Sequence, residues 1–449
     1  MKRDLDFGID NISVLYMKIL IPTILGMVSS IIVIITDGIF VGRFVGSQAL
    51  AAINISAPIF MISTGIALMF GMGSSVQAAS KISIGKKKLA NIIISDSIYT
   101  SLSLFFIISS ILFLFTSKIS YFLGSTDNLL PMVVNYIRIL SPSLLFYMLQ
   151  NIGLFIIRLD GNPRFAMKCS LLPAFINILG DYILVKELNL GISGAAIATS
   201  LSYFIGGFMV IIYFNRNTNG IVINKLTRSY KSIKNSITNS LHVCKLGFSG
   251  LLSELAIAFM ALIGNYLFLK YLGEDGIAAF SVACYYFPII FMLNNAIAQS
   301  AQPIISYNHG IKKNHRVNRT LRISIYVGII IGLLITLFMC IYNSEMVVLF
   351  LKKGTSAYLI AKKGIPYFAS GFIFFAVNII IVGYYQSIEK IRTANTISIL
   401  RGYIILAICF STLPLIFGVE GIWLSIPASE FISLCIFLAY VFRKRIISS

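Results

Sequence analysis

The sequence predicts an all-α integral membrane protein. Two observations support this prediction: the composition of the chain and its length, which is sufficient for many membrane-spanning helices. Of its 449 residues, 57% are apolar and only 12% are charged. A soluble domain carries about 25% charged residues, so a large soluble enzyme is excluded. A membrane-spanning helix needs about 20 apolar residues. The chain therefore has room for many spans joined by short connections, and for no large domain outside the membrane.

Apolar runs separated by charged or turn-forming clusters define the individual helices. There are twelve of them, which places both termini on one side of the membrane. Their predicted ranges are 13–42, 49–76, 92–116, 131–157, 165–186, 192–214, 244–270, 277–303, 320–343, 358–386, 393–416 and 420–442.

The distribution of basic residues predicts the orientation. The side that holds the termini has 26 Lys and Arg residues and the opposite side has eight. Because cytoplasmic loops collect Lys and Arg, both termini are predicted to be cytoplasmic. The net charge of +20 is explained in the same way, so no nucleic-acid partner is expected.

A polar connector divides the chain into two similar halves. We predict an N-terminal six-helix lobe at 1–215, a solvated cytoplasmic linker at 216–242 and a C-terminal six-helix lobe at 243–449. Similar residues recur about 227 positions apart, among them Gly46 with Gly273 and the glycine at 191 with that at 418. Six spans in each half insert the same way up, and two such parallel repeats are a secondary-transporter architecture.

Four acidic residues lie at membrane depth and are the primary functional candidates, because a charge there is costly and rarely retained without a use. None has an acidic counterpart in the other half, which indicates that they are not part of the duplicated scaffold. Arg138 and Arg401 lie at intermediate depth, and each either pairs with an acid or extends to the membrane surface. The four acids are Asp37, Asp181, Glu254 and Glu430.

Asn177 and Asp181 are four residues apart, so they share one face of the fifth helix. If Asp37 lies beside them, two interpretations remain open. Burial and a second carboxylate both disfavour ionisation, so the pair can take up a proton. The same oxygens, with a hydroxyl and an amide, can instead bind a hard cation such as Na⁺.

Two further features are weaker signals. Pro22 lies inside the first span, where a missing backbone hydrogen bond predicts a kink that is either static or coupled to protonation. Aromatic, sulfur-containing and amide side chains of the second half are candidates for lining a cavity for a flat cation, although packing is the simpler explanation. These candidates are Tyr285, Met292, Asn378 and Gln302.

Several of these residues together resemble the multidrug and toxic compound extrusion (MATE) transporters. The run from Asp37 to Gly42, with Pro22 upstream, resembles the first helix of that family. The spacing of Asn177 and Asp181, followed by Gly191 and Gly194, is similar to the family's fifth and sixth helices. The resemblance covers the whole chain and implies two lobes arranged in a V.

The resemblance also implies a function and a site. It implies an antiporter that exports amphiphilic, often cationic, compounds in exchange for H⁺ or Na⁺ by alternating access. Asp37, Asn177, Asp181 and Thr199 match the family's N-lobe cation site. Glu254 matches a seventh-helix acid of one subgroup, but residues 366–386 lack that subgroup's tenth-helix acid. Because Glu430 resembles a twelfth-helix acid of some relatives, a different C-lobe carboxylate pair remains open.

The remaining expectations complete the hypothesis. No enzymatic activity and no cofactor other than the coupling ion is expected. The partners are small organic cations and the lipid bilayer, the chain acts as a monomer, and the location is a bacterial plasma membrane. The rival function is a flippase for lipid-linked oligosaccharide or peptidoglycan precursor, whose polyanionic cargo favours a cavity lined with arginine.

Overall fold

The computed structural model describes residues 5–216, 218–224 and 230–448, and those residues contain helices and no strand. Nine helices and one bent helix pair among them are long and apolar enough to cross a membrane. Two of the nine contain a break, at Gly273 and at Gly418, where the backbone leaves helical geometry. Counting the segments on each side of the breaks separately, the twelve predicted spans are confirmed.

We number the spans α1 to α12 along the chain. The parts of Tyr230–Gly310 before and after Gly273 are α7 and α8, and the parts of Ile391–Val441 before and after Gly418 are α11 and α12. The others are α1 Ile12–Val45, α2 Ser47–Ser83, α3 Lys87–Leu114, α4 Leu130–Leu159, α5 Pro163–Glu187, α6 Gly191–Arg216, α9 Asn314–Ile341 and α10 Ser356–Ala369 with Phe372–Ser387.

The duplication is visible in the positions of the residues with positive φ, at which the chain turns from one helix to the next. Five residues with positive φ in the first half have counterparts 227 to 230 positions later. A left-handed residue lets the chain leave one helix and begin the next, and glycine adopts that conformation without strain. The two halves therefore share one scaffold. The pairs are Gly46 with Gly273, Gly85 with Lys312, Gly124 with Gly354, Gly161 with Glu389, and Gly191 with Gly418.

The structure adds elements that hydropathy does not predict. A short helix, Thr116–Phe122, follows α3, and its counterpart Asn343–Val348 follows α9. The α10 span is bent by 45° between its two parts. Three spans contain π-helical turns, which are Val41–Val45 in α1, Asp181–Glu187 in α5 and Leu400–Ile404 in α11.

The predicted linker differs from a solvated coil over its second part. Helix α7 begins at Tyr230, so residues 230–242 are helical. Ser236 and Asn239 donate hydrogen bonds to the Asp96 carboxylate of α3, at 2.5 and 2.8 Å. These polar side chains therefore hold the start of α7 against α3 instead of facing water.

The chain divides into two compact units, Met1–Leu251 with Ser306–Asn314 and Leu252–Ile305 with His315–Ser449. The first unit thus includes the start of α7 and the end of α8. The first four residues, the predicted linker residues 217 and 225–229, and residue 449 lie outside the described residues, as do the side chains of the basic residues at 231, 444 and 445. The predicted lobe boundaries and the orientation of the termini stay predictions.

Candidate functional site: buried acids of the two lobes

Glycines bring α1, α5 and α6 close together around the predicted N-lobe site. A Cβ on Gly26 of α1 would lie 3.2 Å from Ser170 Oγ of α5. A Cβ on Gly180 of α5 would lie 2.8 Å from Ala198 Cβ of α6. Because neither glycine carries a side chain, the three backbones approach closely enough for short polar side chains on them to meet.

The structure brings the four predicted N-lobe residues together. Asn177 and Asp181 are fully buried on α5, and Thr199 of α6 is 7% exposed. The Asn177 amide Nδ2 donates to Thr199 Oγ1 at 3.3 Å. The Asp37 carboxyl lies close enough to Asp181 and Asn177 to interact with both side chains. Residues 162 positions apart in the sequence, Asp37 and Thr199, thus belong to one cluster.

The cluster is rich in acceptor atoms that no residue of the described chain satisfies. Asp37 Oδ1, Asn177 Oδ1 and both Asp181 carboxylate oxygens are buried and accept no hydrogen bond from any described residue. Neither acid forms an ion pair with a described Lys or Arg. Unsatisfied buried acceptors are costly and rare in native proteins. The chemistry of this donor-poor set fits one positive charge, either a shared proton or a small hard cation.

Aromatic residues beside the acids were not predicted from the sequence. Tyr136 of α4 and Tyr203 of α6 lie close enough to Asp37 to interact electrostatically with its carboxylate. The ring of Tyr203 lies 4.7 Å from that of Tyr147, whose hydroxyl is 2.6 Å from Thr64 Oγ1. Single tyrosines in apolar helices produce no periodic signal, so only the tertiary structure shows that they surround the carboxylates.

Pro22 lies buried inside α1, as predicted, and the helix continues through it from Ile12 to Phe40. The Thr23 hydroxyl donates to the Ile19 carbonyl at 2.8 Å. The role of Pro22 as a kink that responds to protonation stays a prediction.

In the second unit, Glu430 of α12 has partners that the N-lobe acids lack. It is 6% exposed, and Asn378 Nδ2 of α10 donates to its Oε2 at 2.6 Å. Arg401 Nε of α11 lies 3.7 Å from Glu430 Oε1. The sequence proposed Glu430 and Asn378 as separate candidates and left open whether Arg401 pairs with an acid. The structure joins Glu430 to Asn378 and pairs it with Arg401.

Glu254 does not join this group through a direct contact. It is partly buried on α7, and no hydrogen bond or ion pair connects it to Glu430 among the described residues. A second carboxylate pair in the C-lobe therefore has no contact to support it and stays a prediction.

The predicted cavity-lining residues are dispersed. Tyr285 is 54% exposed and stacks on Phe350, with ring centroids 5.1 Å apart. Met292 is partly buried, whereas Gln302 is 2% exposed near the end of α8. Their predicted role in lining a cavity stays a prediction.

Twelve spans in two repeats, with unpaired acids buried in one of them, define the class of a two-repeat membrane transporter. The chain belongs to the MATE family, whose members are transporters and not enzymes. The MatE family model matches it twice, at residues 22–183 and 251–413, once in each half. The family resemblance inferred from the sequence is thereby confirmed.

Curated relatives match along nearly the whole chain. The multidrug export protein MepA of Staphylococcus aureus strain N315 is 26% identical over 448 residues, covering 95% of this chain and 93% of that protein. MepA of Staphylococcus haemolyticus strain JCSC1435 is 25% identical over 434 residues, with the same coverage.

Solved structures share the fold. A transporter of the MOP superfamily from Pyrococcus furiosus, described as having a binding pocket of reverse polarity that suggests a different function, has a TM-score of 0.90. It is 19% identical, covering 100% of this chain and 99% of that one. An outward-facing multidrug resistance MATE transporter has a TM-score of 0.88 at 20% identity, covering 97% and 96%. A MATE structure in complex with MaD3S has a TM-score of 0.89 at 19% identity, covering 100% and 99%.

Proposed function

We propose that this transporter exports amphiphilic organic cations and takes up H⁺ or Na⁺ in exchange. The single observation that carries the proposal is the cluster of four buried, unsatisfied oxygens on Asp37, Asn177 and Asp181. Family membership and the multidrug export proteins among the relatives support the same function. A polyanionic flippase cargo would meet repulsion at this cluster, so the flippase hypothesis is the weaker one.

The coupling follows from competition for one negative charge. When a proton or Na⁺ binds between Asp37 and Asp181, the carboxylates no longer attract an organic cation. When the coupling ion leaves, the negative charge is restored and the cation binds again. Because the two ligands weaken one another's binding by the same factor, each entry of the coupling ion promotes release of the exported compound.

Both coupling ions fit the same residues in different ways. A proton would lie between the two carboxyl groups and satisfy one acceptor on each. Sodium would bind oxygens of Asp37, Asn177 and Asp181 together with the Thr199 hydroxyl, since hard cations prefer oxygen ligands. The side chains of Tyr136 and Tyr203 would face the organic cation, because aromatic faces attract positive charge.

Ethidium transport in everted membrane vesicles tests this proposal. A proton-coupled protein responds to the pH gradient in sodium-free buffer, and a sodium-coupled one responds to a sodium gradient at fixed pH. Thr199→Val separates the two, because it removes a sodium ligand while leaving both carboxyl groups. Ethidium transport that responds to neither gradient would contradict antiport.

We also propose the cellular context. The excess of basic residues on the side of the termini supports a bacterial plasma membrane with both termini in the cytoplasm. A monomer is sufficient for the proposed cycle, because each chain has its own complete cluster of acids.

A further inference from the structure

The segment that precedes α1 is folded onto the first unit. We call residues 5–10 the N-terminal strap. The strap is not helical, and its turn is held by the Asp6 carboxylate, which accepts a hydrogen bond from Gly8 N at 2.8 Å. Leu5 and Phe7 are only 4% and 7% exposed. Segments outside helices usually run over the surface with exposed side chains, so this burial indicates specific contacts.

Three contacts attach the strap to the end of α8 and the turn that follows it. Asn308 Nδ2 donates to the Phe7 carbonyl oxygen at 2.8 Å, and Lys313 Nζ donates to the Gly8 carbonyl oxygen at 3.0 Å. The Phe7 ring lies 5.9 Å from the ring of Tyr307. Asn308 is fully buried, so little water competes for its hydrogen bond.

The strap also contacts the N-lobe helices. Residues 5–7 line a small cavity together with Ile82 of α2, Leu159 of α4 and Ile221, which follows α6. By its place in the repeat, α8 belongs to the C-lobe, but Ser306–Asn314 at its end lies in the first unit. The strap therefore fastens the end of a C-lobe helix to helices of the N-lobe.

The end of α8 also packs directly on α2, through a glycine. A Cβ on Gly310 would lie 3.2 Å from Ser83 Cβ and 3.1 Å from the Ser80 carbonyl oxygen. Farther along α2, a Cβ on Gly73 would collide with the backbone of Val243 in α7. Such contacts let helices meet closely, but they bury little apolar side-chain area and hold the helices weakly. The strap supplies the specific contacts that this interface lacks.

We propose that the N-terminal strap is a latch. It holds the end of α8 on α2 in this conformation, and it releases α8 when the side of the termini opens. This inference rests on the proposed export function, whose alternating access requires that side to open in every cycle. The strap sets the balance between the closed and open states, because its contacts stabilise only the closed one.

The first test measures opening without transport. Ser306 lies one helical turn before Gly310, on the same face of α8, and is 1% exposed. In the variant Ser306→Cys, a water-soluble maleimide reaches the new thiol only when the end of α8 leaves the surface that covers it. The labelling rate of the peptide is measured by mass spectrometry on the purified protein in lipid nanodiscs, so the six native cysteines stay in place.

Loss of strap contacts is expected to speed this labelling. Lys313→Met removes the donor to the Gly8 carbonyl and should raise the rate about fivefold, because one hydrogen bond is lost. Phe7→Ala removes a buried ring and should raise the rate about tenfold or more. Lys312→Met is the matched control, since Lys312 is the exposed neighbour of Lys313 and its variant should leave the rate unchanged.

A disulfide tests whether release of α8 is required for transport. The Cβ atoms at positions 83 and 310 are close to the separation of about 3.8 Å that a disulfide needs. Oxidation of the double variant Ser83→Cys with Gly310→Cys is expected to abolish ethidium transport, and reduction with dithiothreitol should restore it. Each single variant is a control, because it lacks the partner thiol.

Three outcomes would overturn the inference. The first is an unchanged labelling rate when both Phe7→Ala and Lys313→Met are folded. The second is an equal acceleration by Lys312→Met, which would indicate a general effect of charge. The third is full transport by the oxidised double variant. Failure of ethidium transport by the parent protein would instead contradict the proposed function, and the labelling test does not depend on that transport, so the two failures are distinguishable.

Discussion

The two lobes of this transporter have the same backbone plan and different buried charges. In the N-lobe, Asp37 and Asp181 lie together with no basic partner in the described chain. In the C-lobe, Glu430 is held by an amide and faces Arg401. The duplicated scaffold therefore sets where the chain turns, whereas the interior polarity of each lobe is independent of it.

The structure gives a physical reason for the absence of an N-lobe-type site in the C-lobe. The position that corresponds to Asp37 is Gly264, 227 residues later. A Cβ there would lie 2.3 Å from Phe280 Cε1. The Phe280 ring stacks on Phe268 at 4.7 Å, and both rings contact Trp423. Aromatic packing fills the space that a carboxylate occupies in the N-lobe.

The largest expected effect tests the N-lobe side of the comparison. Asp37→Asn and Asp181→Asn should each reduce ethidium efflux from cells to background, because the proposed mechanism needs this negative charge to bind both the exported compound and the coupling ion. Immunoblots of membrane fractions check that the protein is still present. Asp127→Asn is a suitable control, since Asp127 lies on an exposed loop and accepts a hydrogen bond from Tyr121. Full efflux by both site variants would contradict the assignment.

A second prediction contrasts the stability of the two lobes. Arg401→Met leaves the buried Glu430 carboxylate without its counter-ion and should cost about 3–5 kcal/mol. The double variant Arg401→Met with Glu430→Gln should recover most of that loss. Asp181→Asn should not lower stability, because it removes a buried charge that has no partner. Thermal unfolding in detergent measures all three, and a destabilised Asp181→Asn would show that the N-lobe acid is structural.

The smallest expected effect tests the shared scaffold. Gly191 and Gly418 have φ values of 60° and 59° at corresponding helix starts. Alanine at either position should cost about 1–2 kcal/mol, because an L side chain is strained in the left-handed region. Similar shifts of the unfolding midpoint for the two variants would support the repeat, and a large difference would argue against equivalent turns.

Some features of the site were predictable and others were not. The shared face of Asn177 and Asp181 follows from helical spacing, and their membrane depth follows from hydropathy. Tyr136 and Tyr203 gave no signal, because isolated tyrosines in apolar helices resemble packing residues. The contact of Arg401 with Glu430 joins two different helices, and spacing along the chain contains no information about such pairs.

The sequence by itself determined the membrane environment, the number of spans, the repeat and the acids at membrane depth. These properties depend on local composition and on periodicity, which the bilayer converts directly into helices. Only the tertiary structure decided which buried groups meet, which oxygens stay unsatisfied and where Phe280 excludes a side chain. Those outcomes depend on how closely neighbouring helices approach, and that distance is set by small residues and aromatic rings on several helices at once.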